Sequence, residues 1–317
     1  MANIAVLDDY QGISQNMARW DKLPRETRIS VFQDHLSDED KVAERLLPFH
    51  IISAMRERTP FSRNLLEKLP NLRLLVTTGM RNASIDLQAC SDLDIVVCGT
   101  GSLSYPTAEL TWGLIISLAR NIHHENPNSR SGLWQEEIGI GLNGKILGIL
   151  GLGRLGSQVA KVGISFGMEV IAWSQNLTEE RASAEGANLV SFKTLLENSD
   201  ILSIHTVLSE RTRGLLGKEE LRLMKPSAFL VNTSRGPIVD ERALVSILEE
   251  RGIAGAGLDV FDTEPLPKEH PFLTLTNTLI TPHIGYVTTE GYKIFFEETV
   301  ECINEFLKGT PIRVLND

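Results

Sequence analysis

The chain has 317 residues, of which 42% are hydrophobic and 23% are charged, and both fractions are ordinary for a globular protein of about two domains. Its 41 acidic residues outnumber 31 basic ones, so the net charge of −10 excludes a strongly positive surface for nucleic acid or an anionic membrane. The three cysteines are far apart in sequence, which predicts neither a disulfide framework nor a metal site. Because the chain starts without a signal-peptide pattern and has no apolar run of membrane-spanning length, we expect a cytoplasmic protein.

The first hundred residues alternate short apolar runs with helical stretches, a pattern typical of parallel strands joined by helices. The apolar runs begin at Asn3, Arg28, His50, Leu72 and Asp94. The turn after the first run, "DYQGI", has a single glycine and acidic neighbours, so we expect no phosphate-binding turn there. This part of the chain is predicted to be α/β but not to bind the nucleotide.

After residue 101 the pattern breaks, and one long helix is predicted from Tyr105 to about Glu125. A second α/β series follows, and its apolar runs begin at Lys145, Met168, Ile201, Ala228, Ala254 and Thr278. From Thr289 on, aromatic and aliphatic residues recur at helical spacing, which predicts a C-terminal helix able to pack on the first domain. We therefore predict one domain of residues 1–101 and 287–317 and a second of residues 102–286.

A glycine-rich turn begins the second series. Gly151, Gly153 and Gly156 form a Gly-x-Gly-x-x-Gly pattern between an apolar run and a helical stretch. Such glycines permit a tight turn and let the backbone approach a pyrophosphate, which the helix N-terminus then attracts. The sequence predicts a dinucleotide site, and the alternative is a glycine-rich turn that binds nothing.

Three polar residues each follow a predicted strand of the second series. Arg235, Glu264 and His283 come after strands expected to end near residues 232, 261 and 281, so they should meet at one sheet edge. Reduction of a carbonyl needs a proton on oxygen, which an imidazole can supply because it titrates near neutral pH. A carboxylate can orient that imidazole, and an arginine can hold a substrate carboxylate by two parallel hydrogen bonds. The set predicts a small anionic 2-keto or 2-hydroxy acid as substrate.

Each of these residues also has a simpler structural interpretation. Arg235 could form a surface ion pair, Glu264 could shape the turn before a proline, and His283 alone could be a structural histidine. His205 ends another strand at the same edge, where we expect a buried, hydrogen-bonded role. No histidines, cysteines or carboxylates have the spacing of metal ligands, so we expect no metal.

Six segments, in this order, resemble the D-isomer-specific 2-hydroxyacid dehydrogenase family. They are "AELTWGLIISLAR", "GKILGILGLGRLG", "IHTVLSERTRGLLG", "MKPSAFLVNTSRGPIVDERAL", "GAGLDVFDTEPLP" and "NTLITPHIGY". The resemblance implies a doubly wound parallel-sheet (Rossmann) domain for NAD or NADP, inserted into a flavodoxin-like α/β substrate domain with the cleft between them. It also implies a homodimer built mainly through the nucleotide domains.

The resemblance assigns roles position by position. Arg235, Glu264 and His283 correspond to the substrate-binding arginine, the partner acid and the acid/base of the family. The backbone of Gly79 and Met80, in "TTGMRN", corresponds to the loop that binds the substrate carboxylate. The implied cofactor-binding residues are Thr107, Gly151, Gly153, Arg154, Leu155, Gly156, Ser174, Thr206, Thr233, Ser234 and Asp259.

Two departures from the family pattern bear on specificity. Ser174 stands where NAD-specific members have an aspartate, so we expect tolerance of NADP, with NADPH slightly favoured and Arg181 the only arginine close by. The segment "MRERTPF" resembles a strand end of phosphoglycerate dehydrogenases and puts Arg56 within range of an anionic group, but Glu57 adds a negative charge there.

The sequence therefore predicts a reductase for a substrate such as glyoxylate or hydroxypyruvate. The alternatives are a D-3-phosphoglycerate dehydrogenase and a dinucleotide-sensing, corepressor-like binding protein.

Overall fold

The structure is a computed structural model that describes residues 2–316, and it separates into two compact α/β units. The first unit contains the residues up to Leu103 and those from Val287 onward, and the second is Ser104–Tyr286. The second unit is thus inserted into the sequence of the first. None of the helices in the described residues is long and apolar enough to cross a membrane.

The secondary structure alternates between strands and helices along the chain. The strands are β1 (Asn3–Val6), β2 (Arg28–Val31), β3 (Ile51–Ala54), β4 (Leu74–Thr77), β5 (Val96–Gly99), β6 (Ile146–Leu150), β7 (Glu169–Trp173), β8 (Asn188–Leu189), β9 (Ile201–Ile204), β10 (Phe229–Asn232), β11 (Gly255–Leu258) and β12 (Thr278–Ile280). The helices are α1 (Ser14–Met17), α2 (Glu39–Leu46), α3 (Arg63–Glu67), α4 (Leu87–Asp92), α5 (Pro106–Ala119), α6 (Ile122–Arg130), α7 (Arg154–Ser165), α8 (Glu179–Ala184), α9 (Phe192–Asn198), α10 (Lys218–Arg222), α11 (Glu241–Glu249) and α12 (Thr289–Leu307).

The first unit is built on a five-stranded parallel sheet in the order β2-β1-β3-β4-β5. Strands β3 and β4 are buried along their whole length, as expected for a parallel sheet covered by helices on both faces. The predicted C-terminal helix is confirmed as α12 of this unit. Its buried side chains include Tyr292, Phe295, Phe296 and Ile303, and the Thr288 hydroxyl caps it by accepting a hydrogen bond from Gly291 N at 3.1 Å.

The second unit is built on a seven-stranded parallel sheet in the order β12-β11-β10-β9-β6-β7-β8. The chain starts at the interior strand β6 and adds strands on both sides of it, which confirms the predicted doubly wound architecture. The strand order reverses between β6 and β9. In open α/β sheets a ligand binds beyond the carboxyl ends of the strands at such a point, and the glycine-rich turn follows β6 directly.

Two local predictions were wrong. The single helix expected from Tyr105 to Glu125 is two helices, α5 and α6, because Asn121 between them has φ = 52°. Asparagine enters this left-handed conformation more readily than most residues, and the conformation ends a helix. Strand β11 ends at Leu258 rather than near residue 261, so Asp259, Val260 and Phe261 belong to the connection that follows.

Candidate active site

The glycine-rich turn has the geometry that a dinucleotide pyrophosphate needs. Gly151 has φ = 103°, and a β-carbon there would lie 2.5 Å from the Thr206 backbone nitrogen. A β-carbon at Gly156 would collide with the Gly151 carbonyl oxygen, so the start of α7 packs directly on the turn. Helix α7 begins at Arg154 after Gly153 and has no side-chain cap, which leaves its first-turn N–H groups to an anion.

A cavity of about 390 Å³ lies beside this turn within the second unit. Its polar lining includes two arginines and no carboxylate of the described residues, which is notable in a chain with a net charge of −10. Arg181 was expected here from the sequence, whereas Arg211, from the connection after β9, was missed. The lining residues are Gly151, Leu152, Gly153, Ser174, Gln175, Asn176, Leu177, Arg181, His205, Thr206, Val207, Ser209, Arg211 and Thr212.

Ser174 follows β7 and is tied to the glycine-rich turn. Its Oγ accepts a hydrogen bond from Leu152 N at 3.0 Å. A hydroxyl that accepts in this way still has its own proton to donate. Ser174 is therefore better suited to donate to a ligand than to accept from one.

His205 lines the same cavity and has an internal partner. Its Nε2 lies 2.8 Å from Ser203 Oγ, which confirms the expected hydrogen-bonded role. Burial lowers the pKa of the His205 imidazole to about 4. The ring is therefore neutral near pH 7.

Glu264 and His283 meet at the carboxyl edge of the second unit's sheet. His283 Nδ1 lies 2.5 Å from Glu264 Oε2, and Glu264 Oε1 accepts a hydrogen bond from Phe261 N at 3.0 Å. The carboxylate is thus held by the backbone on one side and directs the imidazole on the other. His283 has φ = 52°, a conformation that non-glycine residues seldom adopt and that often marks functional positions.

Asp259 fixes the segment that carries His283. Its carboxylate is 1% exposed and accepts hydrogen bonds from Thr281 Oγ1 at 2.6 Å, Ile284 N at 2.8 Å and Gly285 N at 2.9 Å. Burial raises the pKa of the Asp259 carboxyl, although these donors oppose the effect. Thr107 Oγ1 donates to Gly285 O at 3.1 Å, so two residues expected at the cofactor also support the His283 segment.

Arg235 follows β10, whose neighbour in the sheet is β11. Its backbone oxygen accepts a hydrogen bond from Asn232 Nδ2 at 2.9 Å, and its guanidinium donates to Ser234 O at 2.7 Å. Asn232 is 1% exposed and was not identified from the sequence. Strands β10, β11 and β12 are adjacent, so Arg235, Glu264 and His283 follow three consecutive strands at one sheet edge.

Ser234 and Thr233 connect the Arg235 segment to other elements of the second unit. Ser234 Oγ donates to Thr206 O at 2.6 Å, and Thr233 Oγ1 lies 2.8 Å from Thr111 Oγ1 in α5. These bonds fix the strand ends that were expected to line the cofactor site.

In the first unit, the structure fixes the backbone of Arg56 at the carboxyl edge of the sheet. Arg56 has φ = 50°, its N–H donates to Thr78 Oγ1 at 2.9 Å, and its backbone oxygen accepts from Asn82 Nδ2 at 2.6 Å. The guanidinium donates to Thr78 O at 3.2 Å, and its Nε lies 3.6 Å from the Glu57 carboxylate. Glu57 therefore offsets part of the positive charge that Arg56 would offer to an anion.

Gly79 and Met80 follow β4 in the same unit. Gly79 has φ = 90°, and a β-carbon there would collide with the Arg56 guanidinium. The Gly79 N–H donates to Thr100 Oγ1 at 2.9 Å, so this amide already has a partner within the unit. Met80 is 47% exposed. Residues 2–316 contain no group of three or more side chains that could hold a metal ion.

Known proteins match this chain over most of its length. A family model described as D-isomer specific 2-hydroxyacid dehydrogenase, NAD binding domain, matches residues 112–285. A glyoxylate reductase of Aeropyrum pernix is 43% identical over 264 residues, which make up 80% of this chain and 79% of that protein. A hydroxypyruvate reductase of Blautia hydrogenotrophica is 30% identical, with 99% of each chain covered. The crystal structure of phosphoglycerate oxidoreductase from Vibrio cholerae o395 is 35% identical, covers 98% of this chain and 100% of its own, and has a TM-score of 0.92.

Proposed function

This chain belongs to the D-isomer specific 2-hydroxyacid dehydrogenase family, and we propose that it reduces a small 2-keto acid, such as glyoxylate or hydroxypyruvate, to the 2-hydroxy acid. The observation that carries the proposal is the pairing of His283 with Glu264 in the unit that also holds the glycine-rich turn. The names of the glyoxylate and hydroxypyruvate reductases similar to this chain support the choice of substrate.

In the proposed reaction each side chain has one task. Arg235 binds the substrate carboxylate through two parallel hydrogen bonds and polarises the neighbouring carbonyl. His283 donates a proton to the carbonyl oxygen from Nε2, because its Nδ1 faces Glu264. Glu264 keeps the ring in that orientation. The bound dinucleotide supplies the hydride that C2 receives.

The remaining residues bind the two ligands in this proposal. The amides of Arg154 and Leu155, at the start of α7, hold the pyrophosphate. Arg56 and the backbone at Met80 also bind the substrate carboxylate, in addition to Arg235. The Gly79 amide contributes only if it gives up its bond to Thr100.

For the cofactor, we propose that both NADH and NADPH are used and that NADPH is slightly favoured. The cavity beside the turn offers Arg181, Arg211 and the Ser174 hydroxyl, all of which can donate to a phosphate on the adenosine ribose. Both arginines are exposed, so solvent weakens their attraction for that phosphate.

We also propose a homodimer in the cytoplasm. The segment after α6 exposes large apolar side chains, with Trp134 78% and Ile138 96% exposed, as expected of a surface that a second copy covers. All three cysteines are free and buried, which suits a reducing compartment. Sedimentation velocity on the wild type and on Trp134→Ser tests the dimer, which the variant should weaken.

Oxidation of 3-phosphoglycerate is the second candidate, since the Vibrio cholerae protein is named for phosphoglycerate. The Glu57 carboxylate beside Arg56 disfavours it, because a substrate phosphate there would meet a negative charge. Reduction of glyoxylate, hydroxypyruvate, pyruvate and 3-phosphohydroxypyruvate, the keto acid that corresponds to 3-phosphoglycerate, is followed by nicotinamide absorbance and decides between the two. Higher kcat/KM for 3-phosphohydroxypyruvate than for any unphosphorylated acid would overturn the main proposal.

A further inference from the structure

A buried carboxylate joins three loops at the carboxyl edge of the first unit's sheet. Asp8 follows β1 and is 2% exposed. Its Oδ1 lies 2.9 Å from His35 Nδ1, and its Oδ2 accepts a hydrogen bond from Thr59 Oγ1 at 2.8 Å. Strand β1 lies between β2 and β3 in the sheet. One oxygen of Asp8 therefore binds the loop after β2, and the other binds the loop after β3.

The backbone at Asp8 is as unusual as its burial. Asp8 has φ = 56°, in the left-handed region, where a residue other than glycine needs support from its surroundings. His35 and Thr59, which provide that support, are themselves almost buried, with 8% of the His35 side chain and 5% of Thr59 exposed. A buried carboxylate with a fixed partner on each oxygen is a rigid link, because breaking either bond leaves a polar atom without solvent.

Thr59 is the last residue of a loop, residues 56–59, that begins with Arg56. At the start of this loop, Arg56 is bound through its backbone to Thr78 and Asn82. At its end, the bond from Thr59 to Asp8 is followed by Phe61, which is completely buried. The chain is therefore fixed at both ends of residues 56–59. Phe61 N donates to Ser84 O at 2.7 Å just beyond the second end, and Asp8 binds the side chain of Thr59 at that end itself.

We propose that Asp8 is a positioning residue, which holds the loop of residues 56–59 through Thr59 so that Arg56 can bind the substrate anion. The inference rests on the proposed function, since it assumes that Arg56 binds the substrate. Without the bond to Asp8 the loop samples more conformations, and the apparent affinity for substrate falls in proportion to the fraction that remains competent. The effect should appear in KM and not in the chemical step.

Thr59→Val is the most direct variant, because valine keeps the shape of threonine and removes only the hydroxyl. We expect KM for hydroxypyruvate to rise about 5–10-fold, as for a loop competent in roughly a tenth to a fifth of molecules, while kcat stays within about twofold. Thr59→Ser keeps the hydroxyl and should restore the wild-type KM.

Thr299→Val is the matched control. Thr299 lies in α12 of the same unit, is completely buried, and its hydroxyl has no hydrogen-bond partner among the described residues. The substitution therefore makes the same chemical change in the same unit without touching the loop. Its KM and kcat should equal those of the wild type.

Asp8→Asn distinguishes the hydrogen bonds of Asp8 to Thr59 and His35 from the charge of its carboxylate. An asparagine amide can accept from Thr59 with its oxygen. Its nitrogen can donate to His35 Nδ1 once the imidazole carries its hydrogen on Nε2, and asparagine tolerates a positive φ. We expect KM within about twofold of the wild type. A large rise in KM for this variant, with Thr59→Val unchanged, would show that the charge and not the link matters.

A double-mutant cycle tests whether Thr59 acts through Arg56. If it does, Thr59→Val should raise KM no further in the Arg56→Ala background, because the group it positions is already gone. Fully additive effects contradict the proposal. A lower melting temperature of Thr59→Val with a wild-type KM also contradicts it, since Asp8 would then only stabilise the fold.

Trypsin cleavage after Arg58 gives a second readout that does not depend on activity. A loosened loop should be cut faster in Thr59→Val than in Thr299→Val. If the wild type reduces no 2-keto acid but the cleavage rates differ as expected, the proposed function fails and the link remains. Equal cleavage rates mean that Asp8 does not hold the loop.

Discussion

His283 Nδ1 lies 2.5 Å from Glu264 Oε2, and the other oxygen of that carboxylate accepts a backbone hydrogen bond from Phe261. The histidine is therefore oriented by a group that is itself fixed. Asp259 holds the residues on both sides of His283, so the ring and its backbone are restrained separately. With Nδ1 facing Glu264, Nε2 is the ring nitrogen from which the proposed reaction takes its proton.

The first prediction concerns His283→Asn, which removes the proposed proton donor and keeps a polar side chain of similar reach. Positioned acid/base groups contribute about 10²–10⁴-fold in rate, so kcat should fall by that amount. The dissociation constant of NADPH, measured by fluorescence titration, should stay close to that of the wild type. Glu264→Gln should lower kcat by less, because the imidazole remains. An unchanged kcat in His283→Asn would show that the histidine takes no part in the reaction.

The second prediction concerns Arg235→Lys. Lysine keeps the positive charge but lacks the planar pair of donors, so KM for the best 2-keto acid should rise and kcat should fall. Arg242→Lys, in helix α11 and outside the proposed site, serves as the control for the same change. Wild-type KM and kcat in Arg235→Lys would show that Arg235 does not bind the carboxylate, which would leave that task to Arg56 and to Arg81, the residue after Met80.

Much of this arrangement could be predicted from the sequence, because parallel strands bring their carboxyl ends to one edge. Apolar runs located β10, β11 and β12, and the residues after them were therefore expected to lie together. The hydrogen-bond partners of Asp259 and Asp8 could not be predicted, since the sequence around an aspartate does not show which distant donors will surround it. The helix break at Asn121 was missed because tertiary structure, and not periodicity, selects a left-handed residue.

Arg211 shows a different limit of sequence reasoning. Arg181 was expected near the ribose because it lies close to Ser174 in sequence, whereas Arg211 does not. The sheet places β9 beside β6, so the connection after β9 reaches the same cavity from about 35 residues further along the chain. Taking the residues after every strand at that edge would have included Arg211.

The third prediction concerns cofactor choice. Ser174→Asp should shift the ratio of kcat/KM toward NADH, because an aspartate accepts bonds from ribose hydroxyls and repels a phosphate. In the wild type the two cofactors should differ by no more than about 5–30-fold, which corresponds to about 1–2 kcal/mol, with NADPH ahead.

Arg211→Ala tests the second side of the same cavity. We expect it to weaken the binding of NADPH by about fivefold and the binding of NADH much less, because an exposed guanidinium contributes up to about 1 kcal/mol to an ion pair. Arg213→Ala, two residues further along and outside the cavity lining, is the control. If the kcat/KM of the wild type were lower with NADPH than with NADH by far more than about 30-fold, another residue would have to discriminate between the cofactors.

The fourth prediction concerns pH and stability. The pKa of the His205 imidazole is about 4 in the folded protein, against about 6.5 in an unfolded chain. Between these values the unfolded state binds more protons, so the free energy of unfolding should fall as the pH is lowered from about 6.5 to about 4. His205→Gln should reduce this loss by about 1–3 kcal/mol in urea titrations at pH 7 and pH 5. Equal losses in the two proteins would show that His205 does not contribute.

The transfer of a hydride to C2 of a 2-keto acid can be measured directly by isotope transfer to hydroxypyruvate. NADPH carrying deuterium at the transferred position is incubated with the enzyme and hydroxypyruvate, and the glycerate formed is analysed by mass spectrometry and chiral chromatography. We expect D-glycerate with deuterium at C2 from the wild type and almost none from His283→Asn. Tight binding of NADPH without any glycerate would contradict the proposed function and would indicate a dinucleotide-sensing protein instead.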